Sequence, residues 1–265
     1  MTGQGRRVWA VIEKEWAETA RNRGIIWMMA LMPAILVLVV LGTNYGILRA
    51  GASGQDLSGM DVSIPKFLAH LPQAQAITVT MNEQFFFYLL LIPITLPVYI
   101  AAHSIIGEKE TRTLEPLLAA PVSTGELLFA KGFAAAAPAV VINWIAFVVV
   151  IAGIAVISPA AVLGYAVRDA WIFGMLLFSP LLALLSVLMG VLVSSRVNDP
   201  RTAQQITSLF VMPLILMGLL VLMGKMFLSL EIVLLAAMIT LLADSLVLAL
   251  AVRVFQRETI LTRWK

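Results

Sequence analysis

The sequence predicts an all-α integral membrane protein with six transmembrane helices, and three observations predict it. Of 265 residues, 61% are hydrophobic and 12% are charged, whereas a soluble domain is about half apolar and a quarter charged. Six stretches approach the roughly 20 apolar residues that a helix needs to cross the hydrocarbon. They cover residues 25–48, 85–106, 133–157, 170–193, 206–223 and 230–252. Fourteen of the eighteen Lys and Arg residues then fall on one side of the membrane, which makes that side cytoplasmic and places both termini there. The same asymmetry accounts for the net charge of +3 and leaves no call for nucleic acid. With no cysteine, disulfides, thiol catalysis and thiolate metal sites are excluded.

The elements follow in chain order. Residues 1–24 form an amphipathic N-terminal segment, 25–252 the six-span domain, and 253–265 a cytoplasmic tail. Within 6–23, Val8, Ile12 and Trp16 recur every four residues with Trp9 alongside. Arg7, Lys14, Glu18 and Arg21 take other faces. That pattern predicts a helix lying along the inner membrane surface, with tryptophan at the headgroups. The first span is too long for a signal peptide and has no A-x-A-like cleavage site. The first outer loop, 49–84, is the longest. It opens with Gly51, Ser53, Gly54 and Asp56, and Ile64-Pro65-Lys66-Phe67-Leu68 predicts a short interfacial helix.

The connection 107–132 is the most informative. Its charged start, Glu108-Lys109-Glu110, extends the second span beyond the membrane. Residues 113–120 then form a short helix with Leu114, Leu117 and Leu118 on one face. Pro121 ends it, Ser123 or Thr124 caps the next helix, and Glu126 lies near the capping-box position. A short helix held at the membrane surface between two spans is suited to docking.

This segment resembles the cytoplasmic motif of ABC exporter permeases of the ABC-2 type (the type V exporter-like membrane subunits). Their pattern is Glu-Lys-Glu, Thr-Leu-Glu, a Leu-Leu pair, Pro-Val-Ser, Glu-Leu-Leu and Lys-Gly, and all of these stand between Glu108 and Gly132. Glu13-Lys14-Glu15-Trp16 and Arg21-Asn22-Arg23-Gly24 resemble the family's opening segment. Thr111-Arg112 departs from the Gly that often precedes Thr-Leu. The resemblance implies a dimer of permeases, or a pair of homologous ones, with two cytoplasmic ATP-binding subunits. It makes the short helix a coupling helix, with Glu108, Glu110, Thr113, Leu114, Glu115, Leu117 and Leu118 as the ATPase-coupling set. The implied place is the cell membrane and the implied mechanism is alternating access.

No cofactor is expected in this chain. A Walker motif is absent, since Gly224-Lys225 is followed by Met226, so ATP and Mg would sit on the partner ATPase. Catalysis in the chain is not expected either. Gly51-Ala52-Ser53-Gly54 lacks a later histidine partner, and His70 and His103 have no metal-binding spacing.

The polar-core candidates are Asn143 and Asp244. Asp244 is the one acid read as lying deep in a span, and the two are placed at similar depth, close enough to hydrogen-bond. An acid there faces protein or water and points to a pathway or an ion. Pro93 and Pro97 interrupt the second span and Pro138 begins the third, while Pro33, Pro180 and Pro213 kink others. Broken backbone in lipid is tolerated against protein or a cavity. The second span, with Tyr88 and Tyr99, is therefore the pathway candidate. Small residues at Ser186, Gly190 and Ser194, and at Gly42 and Gly46, mark packing faces or a dimer seam. Two other readings remain open at this point: a secondary transporter or channel using Asp244, and a membrane anchor for an assembly or maturation complex.

Overall fold

The fold is known from a computed structural model, which describes residues 3–57, 59–60, 62–98, 100–101, 124–194, 197, 202, 205–207, 209, 212–223 and 227–254. Among these there is no strand. The helices are α1 (Gly3–Arg21), α2 (Arg23–Ala52), α3 (Gln73–Leu89), α4 (Thr124–Ile157), α5 (Ala160–Ala166), α6 (Asp169–Phe173), α7 (Ser179–Ser194), α8 (Met212–Leu222) and α9 (Leu230–Val254). A π-helical stretch, Gly174–Phe178, joins α6 to α7.

Five helices are long and apolar enough to cross a membrane: Arg23–Ala52, Gln73–Val98, Gly125–Ile157, Asp169–Ser194 and Leu230–Arg253. The sixth expected span is described only in part, as the 11 residues of α8. Gln73–Val98 is the most buried of the five. Around it pack α2, α4, α5 and α8, while α7 lies against both α4 and α9.

Three boundaries differ from the sequence expectation. The second membrane helix starts at Gln73, not at 85, so the first loop is shorter than expected. Pro72 stands at its N-cap, where a missing N–H costs nothing, and neither Gly nor Pro follows until Pro93. Residues 66–68 form a single 3-10 turn, not an interfacial helix, and Leu68 is fully buried beneath it. Pro138 lies well inside the 34-residue α4, not at its start.

The proline-rich part of the second span is accommodated within protein. The helix tightens at Leu90 and Leu91, whose N–H groups donate to Phe87 and Tyr88 carbonyls, and helix resumes over 92–98. Thr95 Oγ1 donates to the Leu91 carbonyl at 3.1 Å. Ser186 Oγ on α7 donates to the Ile94 carbonyl at 2.5 Å. One turn on, a Cβ at Gly190 would come within 2.9 Å of Val98. The small-residue face of α7 is thus internal, packed on the broken helix. At Gly42 and Gly46 a Cβ would meet nothing, so that face of α2 is open.

The amphipathic N-terminal helix forms as expected, yet protein takes up part of its apolar face. Ile12 is buried against Ala130 and Ala134 of α4, with Val8 and Trp16 beside it. Trp16 Nε1 donates to the Ala134 carbonyl at 3.0 Å. Trp9 stays 43% exposed and donates to Glu13 at 2.6 Å. Lys131 Nζ lies 2.6 Å from Glu15 Oε1, with both side chains at 6% exposure or less.

Removing one member of a buried ion pair strands the other charge, at a cost of about 3–5 kcal/mol, whereas an apolar replacement of both is often neutral. Lys131→Met should therefore lower the unfolding midpoint in detergent sharply, and Glu15→Leu/Lys131→Met should restore most of it. Equal stability of the single and double variants would show that the pair does not fasten α1.

Candidate functional site

Two polar centres lie within the bundle. The first is near the end remote from α1, where α3, the α5–α6 connection and the start of α9 converge on Glu83. Ten residues into α3, Glu83 is 4% exposed. Arg168 Nη2 donates to both its oxygens, at 2.6 and 2.5 Å. Trp171 Nε1 donates at 2.9 Å and the Leu228 N–H at 2.7 Å. Four donor contacts satisfy a carboxylate well, which is the condition for keeping one in an apolar interior.

Aromatic rings seal this centre. Arg168 lies 5.2 Å from the Phe227 ring centroid. Phe227 meets Phe67 edge-on at 5.0 Å, and Phe67 approaches Tyr165 at 6.5 Å. Trp171 is fully buried and packs on Phe86 at 5.0 Å. One residue before Glu83, Asn82 pairs reciprocally with Asn44 of α2, at 2.6 and 3.1 Å. A second hydrogen bond from Asn44 to the Val40 carbonyl completes that join.

The second centre is in mid-bundle, at the π-helical stretch. Widening the helix there frees carbonyls, and Trp144 Nε1 of α4 donates to the one at Met175, at 2.7 Å. Its neighbour Asn143 donates to Ser179 Oγ at 3.0 Å. The expected Asn143–Asp244 hydrogen bond is not formed, because the π turn brings Ser179 within reach of the amide instead. Asn143 Oδ1 has no partner. Asp244, on α9, is 3% exposed, and neither carboxylate oxygen has a partner. π-helical insertions occur often at functional sites, and a buried acid without a partner inside a span is a functional candidate by default.

The other predicted residues fall as follows. Pro93 and Pro97 are buried in the broken second span and Tyr88 is half-buried. Tyr99 lies outside the described residues. So do Glu108, Glu110, Thr113, Leu114, Glu115, Leu117 and Leu118. Val8, Ile12 and Trp16 meet α4 at Lys131 and Ala134, so the two segments that carry the family resemblance touch each other. Sequence reasoning missed Glu83, Arg168 and Trp171, and it wrongly took Asp244 as the one acid deep in a span. The available signal was the helix start at Pro72, which places Glu83 on a membrane-length helix and in need of a cation.

Glu83→Ala should strand Arg168 and leave the Trp171 and Leu228 donors without an acceptor. A loss of about 3–5 kcal/mol is expected, read as a lower detergent unfolding midpoint. In a double-mutant cycle, Glu83→Ala and Arg168→Ala should be strongly non-additive. Additive losses would mean that the two side chains are not coupled.

Comparison with known proteins places this architecture in a family. The model of the ABC-2 family transporter protein matches residues 9–250, from the first turns of α1 almost to the end of α9. No curated protein matches the sequence. The match covers nearly the whole chain, both segments that meet at Glu15 and Lys131, and all five membrane-length helices. The chain belongs to the ABC-2 transporter family, as a multi-pass membrane permease.

Proposed function

We propose that this chain is the membrane subunit of an ATP-driven exporter, working as a dimer with two separate cytoplasmic ATPase subunits. The 107–132 connection would be the docking element, and ATPase closure would drive alternating access. The observation that carries this reading is the fastening of Lys131 to Glu15 and of Ala134 to Trp16. A push on the connection would therefore move α1 and α4 together. From α4 the displacement reaches the π-helical stretch through Asn143 and Trp144. The Glu83 centre would hold the far ends of α3, α6 and α9 in register meanwhile. Both termini are cytoplasmic in this reading, the chain spans the cell membrane six times, and ATP and Mg sit on the partner.

Leu114, Leu117 and Leu118 would form the apolar anchor, and Glu108, Glu110 and Glu115 its polar rim. Each buried leucine contributes roughly 1.5–3 kcal/mol. Leu117→Ala/Leu118→Ala should abolish ATPase co-purification and stimulated ATP hydrolysis while the permease still inserts. Wild-type levels of both would remove the connection from the coupling role. A cysteine placed at Ser123 should label only after the membrane is opened. Labelling from outside intact cells would overturn the orientation.

A second reading has one specific observation behind it, the unpartnered Asp244 carboxylate. In it, Asp244 binds a proton, cation or cationic substrate group during transport. Asp244→Asn should then remove any pH or ion dependence of transport at normal expression. Unchanged transport in both Asp244→Asn and Asp244→Leu would exclude it.

A further inference from the structure

The face between α2 and α4 carries a groove of about 610 Å³. Its walls include Ile26, Ala30, Pro33 and Val37 of α2, and Ile145 and Val149 of α4. No side chain lining it carries a charge or a hydrogen-bonding group. Along α2 it extends from Ile26 to Leu38, which at about 1.5 Å per residue is roughly 18 Å. That exceeds half of a hydrocarbon core about 30 Å thick. The groove thus has the length of an acyl chain in one leaflet, the leaflet on the α1 side.

Its mouth is basic. Arg23 precedes Ile26 by three residues, Ala30 by seven, Pro33 by ten and Val37 by fourteen. These spacings put Arg23 at the head of the stripe that lines the groove. Arg21 lies two residues earlier, at the end of α1. Both arginines are exposed, and neither has an ion pair or side-chain hydrogen bond among the described residues. No acidic residue stands in the first turn of α2. Trp27, 67% exposed beside Ile26, adds the amphipathic ring favoured at the headgroup level.

We infer that this groove is a binding site for an anionic glycerophospholipid of the α1-side leaflet, with one acyl chain between α2 and α4 and the phosphate on Arg21 and Arg23. A neutral lipid would fill the groove equally well but would leave two cations at its mouth without a counter-charge. A second copy of this chain would bring its own Arg21 and Arg23 into the contact, with no acid nearby to offset them. The site lies apart from the 107–132 connection and needs no ATPase.

Native mass spectrometry of the purified permease, delipidated and titrated with phosphatidylglycerol or phosphatidylcholine, tests this. The wild type should retain phosphatidylglycerol in preference. Arg21→Gln/Arg23→Gln changes only exposed side chains and should fold. It should lose that preference by roughly 30-fold, at about 1 kcal/mol per arginine near a charged lipid surface, while still retaining either lipid weakly. Ala30→Trp fills the groove and should lose both adducts, with helix content checked by circular dichroism. Equal retention of the two lipids by the wild type would overturn the inference. So would unchanged preference in the double arginine variant, or a shift of Ala30→Trp from dimer to monomer with its lipid adducts intact.

Discussion

The Glu83 carboxylate is the point on which the arrangement at the far end of the bundle depends. In hydrocarbon no water stands ready to satisfy a polar group, so each buried one must find its partner in the protein. Glu83 draws its donors from three segments distant in sequence: Arg168, Trp171 and the Leu228 backbone. None of those segments is long, and each is followed by a helix that must enter the membrane at a set angle. The carboxylate fixes all three entries at once. The rings of Phe67, Phe227 and Trp171 then exclude water from the join. At the opposite end Glu15 and Lys131 do a similar thing on a smaller scale, tying α1 to α4.

Between these closed ends the helices meet through small residues and irregular backbone. Ser186 and Gly190 admit the broken second span. The π-helical stretch offers carbonyls to Trp144 and turns Ser179 toward Asn143. Helices held firmly at both ends, with distorted and replaceable hydrogen bonds in the middle, have the makings of a two-arrangement element. Such elements carry displacement from one site to another. A uniformly packed bundle would resist it, because close-packed interiors do not deform continuously.

Hydrophobic run length made the all-helical membrane class legible, because the bilayer imposes one length scale on every span. The small-residue spacing of α7 was legible for a similar reason, since helix contact in lipid requires close approach. The start of α3 was not. Its first turns read Gln-Ala-Gln-Ala-Ile-Thr-Val-Thr-Met-Asn-Glu, too polar to register as a span when no partner is in view. Only the three-dimensional meeting with Arg168 makes Glu83 tolerable there, and that pairing spans 85 residues. The Asn143–Asp244 pairing failed for the converse reason. Depth along a helix can be counted from sequence, but the rotation added by a π turn cannot, and it gave the amide to Ser179.

Asp244 now stands apart from every other buried charged group described. Glu83, Glu15 and Lys131 all have close partners. Asn143 keeps one unpaired oxygen, but an amide is far cheaper to leave unpaired than a carboxylate. A group that only held helices together would have been placed like Glu83, with donors on it. Thr240, one turn before Asp244 on the same face of α9, spends its hydroxyl on the Ala236 carbonyl and offers Asp244 nothing. The carboxyl therefore contributes nothing by hydrogen bonding to the arrangement described. Whatever favours its presence has to come from another arrangement of the helices, or from a ligand that arrives during the cycle. That is the physical content of treating Asp244 as a working residue and Glu83 as a fixed one.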